Sequence, residues 1–330
     1  MTGSMVRALL VRALTSDLSG TGLAMVERPV PAPASVTVRV RAASLNFPDL
    51  LMTRGEYQLK PPLPFVPGMD FAGDVMDADP ATGWTRGDAV AGSLRYGALA
   101  QEVAADAASL RRKPVGISYA QAAAIGTTYL TAYVALVRLA AIAAGQTLLV
   151  HGASGGVGTA AVDLGTTLGA RVIAASGSPD KLARIAEVYA PFATLDTSQP
   201  FREAVRALSG GGADIVFDPV GGAIFDESVR CVAFGGKLLV VGFASGRIPS
   251  LAMNIPLIKG FSVIGVRAGE YGRRFPALGA ANRDAIWALA GAGRINPLVH
   301  AVVPLEQWRE AFAMMSDRRL VGKVVIALPD

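Results

Sequence analysis

The run from His151 to Gly158, His-Gly-Ala-Ser-Gly-Gly-Val-Gly, sets small side chains beside one histidine and one serine. Two chemistries are compatible with that spacing. The first is pyrophosphate binding, in which glycines let the backbone approach a phosphate closely and a helix N-terminus supplies free N–H groups. In a G-x-G-x-x-G frame, Ala153 holds the first glycine position, and Gly155 and Gly158 hold the second and third. The second is acyl transfer, because Gly152-Ala-Ser-Gly-Gly156 formally fits the nucleophile-elbow pattern with Ser154 as the nucleophile. His151 adjoining Ser154 is not evidence of a triad partner, and the Gly-Val-Gly that follows favours a dinucleotide. Ala153, Ser154, Gly155, Gly156, Val157 and Gly158 are therefore read as the cofactor turn.

The choice of dinucleotide is read at the end of the next apolar run. NAD sites commonly place an acid about 20 residues beyond the glycines to hold the ribose hydroxyls. Here the run Arg171–Ala175 ends in Ser176-Gly177-Ser178, with Lys181 following and no acid at the tip. Hydroxyls and an ammonium suit a 2′-phosphate, so Ser176, Ser178 and Lys181 predict NADPH over NADH. Asp180 lies beyond the tip and begins the next helix. A catalytic zinc needs three protein ligands, commonly His and Cys. The chain has two histidines, His151 and His300, and one cysteine, Cys231, so no metal is expected.

These groups need elements to position them. An apolar strand, Thr147–Val150, leads into the glycine turn, a helix-like segment from Thr159 to Gly169 follows, and a second strand comes next. That order is the first unit of a doubly wound nucleotide-binding sheet. Alternating strand and helix patterns continue to about Ile264, the mark of a parallel sheet with helices on both faces. Ahead of it, Val6–Leu14, Ser35–Ala43, Phe71–Val75, Ala89–Ser93 and Gly97–Val103 read as strands, and Phe47–Arg54 as a short helix stopped by Gly55. Tyr119–Ile125 and Thr128–Ala141 read as two helices. Past the alternation, Asn282–Ala290 and Leu305–Met315 are helical, and Gly322–Ile326 is a last strand.

Composition bounds the rest. With 330 residues, two domains are the prior, and 52% hydrophobic against 17% charged residues excludes a disordered chain. Pro114–Val137 and Leu139–Val162 lack or nearly lack charge, but polar interruptions make them buried core rather than membrane spans. A net charge of +5 without a Lys/Arg run argues against nucleic acid and suits an anionic cofactor. The single cysteine suits a cytoplasmic protein. Met1–Ser4, ahead of Met5, read as a remnant preceding a natural start, and no signal-peptide core follows.

The ordered set Asn46-Phe-Pro-Asp-Leu50, Arg54-Gly-Glu-Tyr57, Pro67-Gly-Met-Asp-Phe-Ala-Gly73, Ala123–Ala132, the glycine turn and Gly322-Lys-Val-Val resembles a known family. It is that of the zinc-free medium-chain dehydrogenase/reductases, the NADPH:quinone oxidoreductase or zeta-crystallin-like group. Zinc-dependent relatives carry Gly-His-Glu where this chain has Gly68-Met69-Asp70. The resemblance implies an α/β protein with a β-rich GroES-like catalytic domain, residues 1–120 and 265–330, and a Rossmann doubly wound parallel-sheet cofactor domain, residues 121–264. It also implies that substrate lies in the cleft between the two, and that two copies form a homodimer through edge strands of their cofactor domains. Thr127 and Thr131 match the region lining the nicotinamide end of the cofactor, and Gly242 and Phe243 a loop passing near it. Asp196-Thr197 stands where quinone reductases often have Asn-Tyr beside the 2′-phosphate.

In related 2-enoyl thioester reductases a tyrosine in a similar Gly-x-Tyr context donates the proton, which makes Tyr57 a candidate general acid. Asn46 is a candidate hydrogen-bond donor to a substrate oxygen. The bland alternatives are that Tyr57 packs in a loop and that Asn46 caps the helix after it. Asp70 is expected to order a loop. The expected function is NADPH-dependent hydride transfer to a quinone or an α,β-unsaturated carbonyl (enone) substrate. Two alternatives stay open: a 2-enoyl thioester reductase using Arg267, Arg273 and Arg274 to receive a carrier, and an NADPH-binding sensor or structural protein with little turnover.

Overall fold

The structure, a computed structural model, describes residues 5–328. The expected remnant Met1–Ser4 lies outside the described residues. In chain order the first elements are β1 (Met5–Val11), β2 (Thr21–Glu27), β3 (Ser35–Ser44), α1 (Phe47–Arg54), β4 (Asp70–Ala78), β5 (Ala89–Ser93), β6 (Glu102–Asp106), β7 (Arg111–Arg112) and α2 (Tyr119–Tyr133). The nucleotide-fold elements are β8 (Thr147–Val150), α3 (Gly156–Thr167), β9 (Arg171–Ser176), α4 (Pro179–Tyr189), β10 (Ala193–Asp196), α5 (Arg202–Ser209), β11 (Ala213–Asp218), α6 (Gly222–Ser228), β12 (Val232–Val240), α7 (Asn254–Lys259) and β13 (Ser262–Gly265). Next come α8 (Ala268–Arg274), α9 (Pro276–Gly291), β14 (Val299–Pro304), α10 (Trp308–Ser316) and β15 (Lys323–Ala327). The chain divides into two units, Met1–Thr127 with Pro297–Asp330, and Thr128–Asn296.

The first unit is GroES-like and β-rich. Its main sheet runs β14-β15-β3-β4-β5-β7, with β6 also paired to β3, and β1 and β2 form a separate antiparallel pair. The strand β3 is central because its apolar residues Val36, Val38, Val40 and Ala43 are fully buried, packing with Phe71, Leu99, Phe312 and Ile326. The antiparallel pairing of β15 with β3, Val325 opposite Ser44, brings the C-terminal strand beside the segment that begins α1. Helix α1 starts after extended Asn46, carries Pro48 in its first turn where a missing N–H costs nothing, and ends at Gly55 with φ 74°.

The second unit holds a six-stranded parallel sheet ordered β10-β9-β8-β11-β12-β13. Its inner strands are apolar on both faces, as Leu148–Val150, Val172–Ala175 and Ile215–Phe217 show by complete burial, because helices cover a parallel sheet on both sides. The strand order reverses beside β8, the place where ligands sit at the carboxyl ends of such sheets.

Two expectations are corrected here. Residues 265–296, assigned above to the catalytic domain, belong to the second unit, and residues 121–127, assigned to the cofactor domain, belong to the first. The helices of 265–296 pack on the second unit: Gly272 and Gly279 bring α8 and α9 so close that a Cβ on Gly279 would lie 2.8 Å from the Gly272 Cα, and Arg138 Nε donates to Asn282 Oδ1 at 2.6 Å. Alternation ends at β13, so no strand marked these helices as part of the nucleotide fold. Tyr119–Ile125 and Thr128–Ala141 are not two helices either. They form one continuous α2 that passes into a π-helical stretch, Val134–Leu139, because Gly126 and Thr127 stay helical. The run Tyr119–Leu139 is long and apolar enough to cross a membrane, but Ala122–Ile125, Tyr129, Ala132 and Val134–Leu136 are buried core.

Candidate active site

The glycine turn stands at the carboxyl end of β8. Ala153 N–H donates to Ala175 O at 3.0 Å, which fastens the turn to β9, and Gly155 N–H closes it on Gly152 O at 2.9 Å. A Cβ on Gly158 would lie 2.0 Å from Gly152 O, so only glycine lets α3 start this close to the turn. Gly155 caps α3 with extended backbone, no side chain caps the first turn, and Gly155 is exposed. Gly156, Val157 and Gly158 thus begin a helix whose first turn has no side-chain cap, the arrangement that suits an anion. A pyrophosphate fits this cradle.

His151 does not serve Ser154. Its Nε2 lies 2.7 Å from Ser228 Oγ, which also donates to Ile224 O at 2.6 Å. The serine has one proton to give, so the imidazole Nε2–H is the donor. Burial pushes its pKa down to about 3. The Ser154 hydroxyl instead lies 3.5 Å from that of Ser176, and the acyl-transfer reading of the elbow pattern falls with this geometry.

The neighbouring strand tips complete one edge. Ser176 ends β9, Ser178 precedes α4, and Lys181 sits in the first turn of that helix, partly buried, with its pKa lowered by burial. Thr197 N–H donates to Ser176 O at 3.1 Å, which places the end of β10 beside this tip. Asp196 faces Ser176 across the pairing and accepts from Ser198 N–H at 2.8 Å. On the other side of β8, the Gly242-Phe243 loop after β12 folds onto the tip of β11. Ala244 and Ser245 N–H groups donate to Pro219 O and Val220 O at 3.0 and 2.9 Å. Buried Asp218 organises that tip by accepting from Val220 and Gly221 N–H at 2.8 and 2.9 Å, and burial raises its pKa.

The first unit carries a buried polar cluster around Asn46, which is 5% exposed. Asn46 Nδ2 donates to Asp70 Oδ2 at 2.8 Å and its Oδ1 accepts from Lys323 Nζ at 2.6 Å. Lys323 also donates to Leu45 O. Asp70 further accepts from Ser93 Oγ at 2.6 Å and from Thr127 N–H and Oγ at 3.0 and 3.1 Å. Asp49 accepts the Asn46 and Gly68 N–H groups at 2.8 and 3.0 Å, holding the start of α1 against the loop before β4. Burial pushes Asp49 up to about 7 and Lys323 down to about 8, each partly offset by the charge of the other.

Two family models cover most of the chain. The alcohol dehydrogenase GroES-like domain matches residues 32–136 and the zinc-binding dehydrogenase model matches residues 156–281. The mouse quinone oxidoreductase-like protein 2 is 36% identical over 99% of this chain and 93% of its own. This chain belongs to the medium-chain dehydrogenase/reductases, in their quinone oxidoreductase-like branch. A probable oxidoreductase from Mycobacterium abscessus superposes with a TM-score of 0.88 at 34% identity, covering 98% of this chain and 99% of that one. A mycobacterial protein solved in complex with NADPH gives 0.87 at 26% identity, over 98% of this chain and 100% of that one.

Within this dehydrogenase/reductase, the remaining expected residues fall as follows. Tyr57 lies beyond α1, partly buried, against the small apolar cluster of Val11, Met52 and Phe65 that Leu59 and Met69 also join. Its hydroxyl has no hydrogen-bond partner among the described residues. Asn46 and Tyr57 flank α1 and are not joined by a hydrogen bond. Met69, at the histidine position of zinc-dependent relatives, packs in that same apolar cluster. Among the described residues no three His, Cys, Asp or Glu side chains gather to hold a metal ion. Thr127 is bound to Asp70, whereas Thr131 lies one turn further along α2. Sequence reasoning missed Asp49, Lys323 and Asp218. Lys323 stood inside the quoted Gly-Lys-Val-Val motif, and only the pairing of β15 with β3 shows whom it serves.

Proposed function

We propose that this chain is an NADPH-dependent, metal-free reductase that passes a hydride to a quinone or an α,β-unsaturated carbonyl acceptor. The observation that carries the reading is the uncapped, glycine-lined start of α3 beside a β9 tip of serines and Lys181. A bound nicotinamide supplies the hydride. Ala153 through Gly158 hold the pyrophosphate, and Ser176, Ser178 and Lys181 take the 2′-phosphate. Lys181 is desolvated by burial, a cost that a phosphate dianion offsets. The mycobacterial relative solved with NADPH supports the same preference. Thr131, with the Gly242-Phe243 loop, flanks the nicotinamide end.

In this reading Tyr57 supplies the proton that enone reduction needs at the α carbon. Its phenol has no partner to give up, and it stands against the apolar cluster of Val11, Met52 and Phe65. Asn46 has one amide hydrogen left beyond its bond to Asp70, and Asp70 and Lys323 hold its plane in place for a substrate oxygen. The carrier-binding alternative has less support, since Arg273 and Arg274 both pair with Glu270, at 3.0 and 3.1 Å. The lone, buried Cys231 suits work in the reducing cytoplasm.

The test is NADPH oxidation, with NADH as control, against quinones, simple enones and 2-enoyl thioesters, using wild type and Tyr57→Phe. We expect NADPH to be preferred by at least about tenfold. Enone turnover that falls on the order of 100-fold in Tyr57→Phe identifies the tyrosine as proton donor. Quinone turnover that survives the change assigns a quinone reductase with Tyr57 as packing. Tight NADPH binding with no turnover on any acceptor would sink the enzyme reading in favour of a sensor.

A further inference from the structure

A buried carboxylate on α3 is used by nothing in the scheme above. Asp163 is 6% exposed, two turns along the helix that the glycine turn begins. One of its oxygens, Oδ2, accepts from two parts of the second unit: Tyr129 Oη on α2 at 2.5 Å and Asn296 N–H at 2.7 Å. Asn296 is in turn held by Tyr189 of α4, whose hydroxyl donates to the Asn296 carbonyl at 2.8 Å. Tyr129 and Asn296 stand at the two ends of the segment that makes up this unit, Thr128–Asn296. Both ends are thereby tied to the helix of the phosphate cradle.

The position of Tyr129 on its helix gives the tie a consequence. Residues four apart share a helix face, and residues two apart lie on roughly opposite faces. Thr131 therefore points away from the side on which Tyr129 meets Asp163. The carboxylate braces α2 from behind while the opposite face presents Thr131. A buried carboxylate with two donors on one oxygen is a stiff strut, because breaking either bond leaves a desolvated polar group.

We propose that Asp163 is a positioning residue for the dinucleotide. Its bonds to Tyr129 and Asn296 fix the helix of the glycine turn against the helix that carries Thr131, and so set the nicotinamide end relative to the phosphates. This rests on the cofactor reading given above.

The test compares two ligands by calorimetry, NADPH and 2′-phospho-ADP-ribose, which lacks only the nicotinamide. Asp163→Leu is expected to weaken NADPH at least tenfold and 2′-phospho-ADP-ribose less than twofold. Asp163→Asn, whose amide oxygen can accept both donors, is expected to stay within threefold of wild type for both ligands. Tyr129→Phe removes a single hydroxyl; it is expected to fall between them for NADPH, and it decides the question alone if Asp163→Leu does not fold. Equal losses for the two ligands, or no loss for either, overturn the proposal while leaving the cofactor reading intact. Wild type that binds neither NADPH nor NADH overturns that reading and the proposal with it.

Discussion

At the residue scale, the chemistry turns on which polar groups are committed and which are free. Asn46 sits between Asp70 and Lys323, and its amide plane has little freedom. Tyr57 is the opposite case, a phenol among apolar neighbours with its hydroxyl unengaged among the described residues. His151 is committed to structure, and that commitment has a pH signature. Folded His151 takes a proton only near pH 3, whereas the unfolded chain takes one near 6.5. Between those values the unfolded state binds more protons, so the stability that neutral His151 contributes is full above about 6.5 and is lost as pH falls. From pH 7 to 4.5 that loss amounts to about 2–3 kcal/mol. Asp49, with its raised pKa, acts in the opposite direction over part of the same range, so the comparison must be between variants. Urea unfolding at pH 7 and 4.5 should show a smaller acid loss for His151→Gln than for wild type. Equal losses in the two proteins would refute a buried neutral imidazole.

At the element scale, two helix positions are set by what approaches them rather than by helix propensity. Gly126 lies inside α2, where alanine is ordinarily better by about 1 kcal/mol. A Cβ there would lie 2.1 Å from Asp70 Oδ1 and 2.7 Å from Ser93 Oγ. Gly126→Ala should therefore destabilise the protein, by on the order of 2 kcal/mol or more, by displacing Asp70 from Thr127 and Asn46. Thermal melts read this directly, and an unchanged or raised Tm would show that the cluster can shift at little cost. Gly158→Ala acts on the other site: its Cβ would press on Gly152 O and push α3 from the turn. NADPH affinity should fall at least tenfold in that variant, measured by the change in cofactor fluorescence. The helices were legible wherever apolar periodicity met a stop, as at Phe47–Arg54. They were misread where the signal was a tertiary contact: Gly126 looks like a break between two helices until Asp70 is seen against it.

At the scale of the whole molecule, the second unit's sheet ends in an open, apolar edge. The edge strand β13 is largely exposed, and Phe234, Leu257 and Ile258 beside it are 88%, 81% and 75% exposed. A monomer seldom leaves such an edge and apolar patch uncovered. We propose that a second copy of this chain pairs there, as the family resemblance implies. Sedimentation should give a dimer near twice 34.0 kDa, and Leu257→Glu with Ile258→Glu should give a monomer. A wild-type monomer at micromolar concentration would overturn the pairing. Residues 265–296 belong to this scale too. Their helices were placed with the wrong unit because a helix pair without an intervening strand carries no mark of which core it covers.

The sequence by itself determined the two-part architecture, the glycine turn between strand and helix and the scarcity of metal ligands. These are properties of local pattern: glycine spacing, alternation of strand and helix, and a count of His and Cys. Only the tertiary structure decided what the buried charges do. Asp49, Asp70 and Lys323 are far apart in the chain, and Asp163 is one acid on an otherwise ordinary helix. Each acquires its role because strand pairing or helix packing brings a partner to it and excludes water. That exclusion makes each bond costly to break, and sequence distance carries no record of it.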